Sequence, residues 1–158
     1  MLVIYFLISL ILIGIDQWVK YWTVANLALG ESQDFIPSIL SLTYIQNRGA
    51  AWSILEGQML FFFIITVIAV SIITYLLIKY RAEHWLLLLG LSFVLAGALG
   101  NFIDRMRLGY VVDMFQTEFI TFPIFNVADT TLFIGVACIF VYTIFEEKLK
   151  GKQNDKTN

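Results

Sequence analysis

Two acids in apolar company are the residues best suited to chemistry in this chain: Asp113 and Asp129. Asp113 interrupts the β-branched and aromatic run Val111-Val112-Asp113-Met114-Phe115. Asp is depleted in strands, and no Gly or Pro adjoins it to suggest a turn, although an edge position would be a plain structural reason for it. Asp129 closes Phe125-Asn126-Val127-Ala128-Asp129 and precedes Thr130-Thr131, where an ordinary helix N-cap is the alternative. Carboxylates about 3 Å apart cannot both ionise, so a convergent pair shares one proton. One acid then serves as base on a water, and its protonated partner hydrogen-bonds a scissile carbonyl. That chemistry is peptide hydrolysis. Linear spacing leaves the convergence of the two acids open.

Other polar residues stand where apolar ones are expected. Asn101 and Asp104 are spaced i, i+3, with Arg105 next, and Asn126 and Asp129 repeat the Asn-x-x-Asp spacing. On a helix both members of such a pair project to one side, where the amide can hold its carboxylate or a substrate. Asp16 and Lys20 are spaced i, i+4 and can pair across one turn, either as a structural ion pair or to orient a catalytic neighbour. Alternative hydrolytic machinery is missing. There is no Gly-x-Ser-x-Gly elbow and no Ser one turn from Lys20. A single His and a single Cys exclude a HExxH zinc site and a cysteine cage, so no metal or other cofactor is expected. His84 lies between Arg81 and the third span, solvated and on the side away from the acids, and Cys138 sits between Ala137 and Ile139 as a packing residue.

The elements that must position these residues follow from composition. The chain has 158 residues, of which 59% are hydrophobic and 14% charged, and its mean hydropathy is +0.83. Soluble domains carry about 25% charged residues, and a chain this short has little interior in which to hide the apolar excess. Ten Lys and Arg against twelve Asp and Glu give no basic surplus for nucleic acid. An integral membrane protein remains. Gly57 to Ile78 and His84 to Ile103 are free of Asp, Glu, Lys and Arg, and each is long enough to span. Phe119 to Phe145 hold only Asp129, so a span fits the second half of that stretch. The N-terminal run to about Leu29 gives another. It lacks the basic start of a signal peptide, since no Lys or Arg precedes Lys20.

The predicted fold is thus an all-α polytopic membrane protein with four transmembrane helices in one domain, 1–146, and a polar, disordered cytoplasmic tail, 147–158. Lys79 and Arg81 in the link between the second and third spans, with Lys148, Lys150, Lys152 and Lys156 in the tail, place both termini in the cytoplasm. The connections Gly30–Glu56 and Asp104–Pro123 then face outward. Phe35, Ile36, Ile39 and Leu40 have the spacing of a short interfacial amphipathic helix. Residues 109–115 and 119–122 read as a small extracytoplasmic β-hairpin around Gln116-Thr117-Glu118.

Five motifs in order resemble those of bacterial lipoprotein signal peptidases, the type II signal peptidases. They are Asp16-Gln17-x-x-Lys20, Asn47-Arg48-Gly49-Ala50-Ala51, Gly97-Ala98-x-Gly100-Asn101-Phe102-Ile103-Asp104-Arg105, Val111-Val112-Asp113 and Phe125-Asn126-x-Ala128-Asp129. The resemblance implies a membrane aspartic endopeptidase that removes signal peptides from prolipoproteins bearing a diacylglyceryl group, cutting immediately before the lipidated Cys. It implies Asp113 and Asp129 as the catalytic pair. Asn47, Asn101, Arg105 and Asn126 become substrate-positioning residues, and Asp16, Lys20 and Asp104 supporting ones. Met114 departs from the family, which usually has Phe there, and the stretch between the two aspartates is short. Its expected partners are lipidated prolipoproteins and membrane lipid, with the protein itself a monomer in the bacterial cytoplasmic membrane and its active site near the outer face. The competing classes are a transporter or proton channel, in which intramembrane acids mark an ion path, and a scaffold subunit, which gives no use to Asp113 and Asp129.

Overall fold

A backbone in hydrocarbon has no water to bond, so long runs of Leu, Ile, Val and Phe satisfy their amides within helices. The computed structural model describes residues 2–49 and 57–154 and shows four such helices. They are α1 (Leu2–Asn26), α2 (Met59–Lys79), α3 (Trp85–Leu108) and α4 (Val127–Asn154). Their apolar parts are 21 to 25 residues long, which at 1.5 Å per residue is about the thickness of a bilayer's hydrocarbon core. Ala50 and Ala51 of the Asn47–Ala51 motif lie outside the described residues, as do residues 155–158.

α3 is the central helix and packs against the other three. Tyr5, Ile73, Leu77, Leu88, Leu91 and Leu95 form the core where α1, α2 and α3 meet. The Ser9 hydroxyl donates to the Ser92 carbonyl at 2.8 Å and fastens α1 to α3 in that core. α4 comes close because Gly97 has no side chain: a Cβ there would strike the Ala128 carbonyl and the Leu132 side chain. Large apolar side chains such as Phe133 and Leu10 are exposed on the outer surface, which is the face that lipid covers. α3 stops at Gly109, whose φ of 77° turns the chain out of the helix and whose N–H still reaches the Arg105 carbonyl.

Between these helices lies an antiparallel sheet in the order β1 (Ser32–Ile36), β2 (Leu40–Asn47), β3 (Val111–Thr117). Two sequence expectations are corrected here. The segment Asp34–Leu40 is not an interfacial helix but the hairpin tip between β1 and β2. Pro37 disfavours helical geometry at Ile36 before it, and Ser38 takes a φ of 63°, so the chain reverses and Ile36 pairs with Leu40. The spacing of Phe35, Ile36, Ile39 and Leu40 reflects a turn with apolar flanks.

Nor does β3 pair with residues 119–122. Its partner is β2, with Ile45 opposite Asp113 and Asn47 opposite Val111, a pairing across the whole second helical hairpin that local patterning does not reveal. After β3, Phe125 exchanges backbone hydrogen bonds with Phe115 and so lays the lead-in to α4 beside the strand. Met114 is fully buried and packs with Leu27, Tyr44 and Val112, an unbranched side chain filling the base of the sheet. At the other end, α4 continues past Glu146 to Asn154, with non-helical φ and ψ at Phe145. The sequence alone reads that stretch as an unstructured tail.

Candidate active site

Asp113 sits in the middle of β3 and Asp129 in the first turn of α4. Both line one cavity of about 450 Å³, together with Asn47, Asn101, Arg105 and Pro123. The two acids therefore converge, although they come from different elements. The Phe115–Phe125 bridge explains how: it brings Asn126, at the head of α4, against the strand.

Three asparagines set the geometry, each held by its oxygen so that its amide nitrogen faces an acid. Asn47 Oδ1 accepts the Gly49 N–H at 2.9 Å, and its Nδ2 donates to Asp113 Oδ2 at 3.0 Å. Asn126 Oδ1 accepts the Asp129 N–H at 2.9 Å, and its Nδ2 donates to Asp113 Oδ1 at 2.6 Å. Asn101 Oδ1 accepts from Lys20 Nζ and from Asn126 Nδ2, both at 3.0 Å, and its Nδ2 donates to Asp129 Oδ1 at 2.7 Å. Asp129 Oδ2 also accepts the Asn126 N–H at 3.2 Å. Asn126 and Asp129 thus form a reciprocal capping box with Asp in the usual Glu position. Asn126 is the cap, and Asp129 is left to face the cavity. Each carboxyl group has two protein donors.

Asp113 is 1% exposed, and burial is the main reason its pKa is pushed up to about 7. The nearby charge of Asp129 pushes in the same direction, against the pull of the hydrogen bonds from Asn47 and Asn126. A carboxyl group in this state still holds a proton in a large share of molecules near neutral pH and can donate it.

Two of the supporting residues anchor one acid each. Asp104 Oδ2 accepts the N–H of Val112, the residue before Asp113, at 3.0 Å. Asp16 Oδ1 accepts the N–H of Ala128, the residue before Asp129, at 2.8 Å. Lys20 stands between them, 3.0 Å from Asp16 Oδ2 and 3.0 Å from Asp104 Oδ2. The i, i+4 pair read from the sequence is two members of a buried triad. Gln17 supports it from the same helix, donating to Asp104 Oδ1 at 2.9 Å and to the Gly100 carbonyl at 3.2 Å. Among the described residues no buried side-chain nitrogen or oxygen lacks a partner, as a charge cluster at membrane depth requires.

Comparison with known proteins decides the family. The family model for Signal peptidase (SPase) II matches residues 8–145. The chain belongs to the signal peptidase II family. It is 62% identical to the lipoprotein signal peptidase of Enterococcus faecalis, over all of this chain and 98% of that protein. It is 53% identical to that of Latilactobacillus sakei, over 94% of this chain and 98% of that one. A solved structure described as a bacterial membrane enzyme, obtained by the in meso method at 2.3 Å resolution, superposes with a TM-score of 0.85 at 40% identity. That match covers 90% of this chain and 88% of the other. A second such structure at 1.9 Å gives 0.80 at 42% identity, covering 88% and 91%. This is a bacterial membrane protein of a peptidase family, which decides against the transporter and scaffold classes.

Within that family assignment, all nine residues singled out in the sequence gather around the cavity or directly behind it. Asn47, Asn101 and Asn126 spend their amide nitrogens on the acids. Arg105 differs: its Nη2 donates to the Gly49 carbonyl at 3.1 Å, its guanidinium lies 4.5 Å from the centre of the Phe62 ring, and it forms part of the cavity wall. Sequence reasoning gave no role to Gln17 or Phe62. Gln17 had a usable signal, a polar side chain inside a span and next to Asp16. Phe62 had none, being one of several phenylalanines in α2. His84 caps the start of α3, where its Nδ1 accepts the Leu86 N–H at 3.2 Å, at the end of that helix away from the acids.

Proposed function

We propose that this protein is an aspartic endopeptidase that cleaves the signal peptide from prolipoproteins carrying a diacylglyceryl-Cys, immediately before that Cys. The observation that carries the reading is two carboxyl groups on one cavity wall, each held by two amide donors. A water between them gives a proton to Asp129 while its oxygen attacks the scissile carbonyl carbon. Protonated Asp113 donates to the carbonyl oxygen as charge develops there. The tetrahedral intermediate then collapses: the C–N bond breaks, the leaving nitrogen takes the proton from Asp129, and Asp113 recovers its own. The family relationship and the names of the relatives support the lipoprotein substrate. Positively charged residues in the α2–α3 link and near the C-terminus support cytoplasmic termini, which puts the sheet and the cavity at the outer face.

The test is cleavage of a lipobox peptide by the purified protein in detergent micelles, with and without diacylglyceryl on the Cys. Mass spectrometry should find a new N-terminus at the lipidated Cys and little or no product from the bare peptide. Equal rates on both peptides would remove the lipid from the recognition, and cleavage elsewhere would move the scissile bond.

A further inference from the structure

We propose that the groove between the first turns of α2 and the last turns of α3 holds an acyl chain of the substrate, with Arg105 as the wall it shares with the catalytic cavity. The inference rests on the lipoprotein reading above and locates where that substrate's lipid goes. The groove has a volume of about 420 Å³ and is lined by Met59, Leu60, Phe63, Phe102, Arg105 and Met106. Arg105 is the one polar residue of the six, and it also lines the catalytic cavity. The two spaces therefore adjoin at a guanidinium.

The chemistry of that junction matches a diacylglyceryl group. Its ester carbonyls accept hydrogen bonds and its chains are pure hydrocarbon. Arg105 has five N–H donors in a fixed plane, and the Phe62 ring against it and the Gly49 carbonyl hold that plane in place. Phe62 itself is buried and cannot swing away. Beyond Arg105 the groove becomes wholly apolar. Phe63 and Phe102 pack with their ring centres 5.7 Å apart, one helical turn deeper than Met59 and Met106, and close its far end. Leu60 and Met106 are exposed at 72% and 55% and form rims that open sideways into the bilayer. A substrate whose scissile bond lies at Asp113 and Asp129 then sets its esters beside Arg105 and one chain between α2 and α3.

Other cavities fit this occupant worse. The space along Gln116–Phe122 and Ile124 also borders the catalytic cavity, but Gln116, Thr117, Glu118 and Thr121 line it. The space beside Gln17, Lys20 and Asp104 holds about 140 Å³ and faces the ion triad.

The experiment compares two lipobox peptides that differ only in their acyl chains, sixteen carbons against four, cleaved in micelles by wild type and by Met106→Trp and Leu60→Trp. Both positions are exposed rims, so an indole there fills the groove without disturbing the core. Wild type should prefer the long-chain peptide by at least tenfold in kcat/KM, since a few buried methylenes suffice for that ratio. The Trp variants should lose most of the preference through a higher KM for the long-chain peptide, with the short-chain peptide cleaved as by wild type. An unchanged preference in both variants, or an equal loss on both peptides, overturns the groove assignment. In those cases wild type still cleaves lipidated peptide. Failure of wild type to cleave either peptide overturns the peptidase reading instead.

Discussion

Lys20 holds the amide oxygen of Asn101 at 3.0 Å and, with Asn126 Nδ2 on the same oxygen, fixes which end of Asn101 meets Asp129. An amide can flip. With a cation on its oxygen, Asn101 can present only its nitrogen to the acid, so a residue on α1 governs the donor set of a carboxylate on α4. The same ammonium bridges Asp16 and Asp104, which in turn hold the backbone just ahead of Asp129 and Asp113.

Lys20→Met should therefore do more damage than Asp16→Asn. The Met variant leaves two buried carboxylates without their cation, a loss of about 3–5 kcal/mol. The Asn variant leaves Lys20 with Asp104. Thermal unfolding of both in detergent checks the order. A Lys20→Met variant as stable as Asp16→Asn would mean that the triad is not a unit. Cleavage should fall in both, further in Lys20→Met, where Asn126 Nδ2 alone is left to hold the Asn101 oxygen.

Asp113→Asn and Asp129→Asn should each lower cleavage by at least about a hundredfold, since an amide can neither take the water's proton nor give one in turn. Both variants should insert and extract as wild type does. Asp113 also predicts a stability signature. Its pKa is raised from an ordinary 3.8 to about 7, so the folded state holds a proton that the unfolded chain gives up. The stability it contributes is complete below about pH 4 and is lost as pH rises through about 7. That loss is at most about 4 kcal/mol at 1.36 kcal/mol per unit. The Asn variant has no such proton, so its melting temperature relative to wild type should climb between pH 4 and 7 and level off above. A flat difference across that range would contradict the raised pKa.

Much of this was legible in the sequence because the membrane sharpens the signal. Acids, amides and a lysine inside apolar runs are costly, so Asp16, Lys20, Asn101, Asp104, Asp113, Asn126 and Asp129 stood out and each has a place in the network, whereas Asn47 and Arg105 took their roles only from the family resemblance. The four helices followed from the same contrast. The sheet did not. Its β2–β3 pairing joins segments separated by two spans, and no local pattern encodes a partner that distant. The hairpin tip at Pro37 and Ser38 was hidden by an accident of spacing among Phe35, Ile36, Ile39 and Leu40. Aromatic contacts such as Phe62 with Arg105 are invisible where many phenylalanines serve only the lipid.

The pH dependence of cleavage follows from the role given to Asp113. As the proton donor to the scissile carbonyl, it must be protonated, and it loses that proton as pH rises through about 7. Values of kcat/KM measured from pH 5.5 to 9 on the lipidated peptide should fall on the alkaline side of about 7. A rate still rising from pH 7 to 8 would assign the donor role elsewhere.

Orientation can be read with single cysteines in a Cys138→Ser background. Ser32, exposed on β1, should label as Cys with an impermeant thiol reagent on intact cells, and Gln153 should not. The reverse pattern would turn the catalytic cavity to the cytoplasm.

Gly100 gives a packing test of the same network. A Cβ built there lies 2.7 Å from Asp16 Oδ2 and 3.1 Å from the Ala128 Cβ, so Gly100→Ala must move α1, α4 or both away from α3. Overpacking of this kind costs about 1–3 kcal/mol. Here it also stretches the 2.8 Å bond from the Ala128 N–H to Asp16, which seats the turn carrying Asp129. Gly100→Ala should thus lower both melting temperature and kcat, with KM for the lipidated peptide little changed because the substrate-facing wall is intact. Gly14→Ala is the control: nothing lies within 4 Å of its Cβ, and Ala is the better helix former, so that variant should be as stable as wild type or slightly more so. If Gly100→Ala matches that control in both measurements, the contact between Asp16 and the head of α4 does not position the acid.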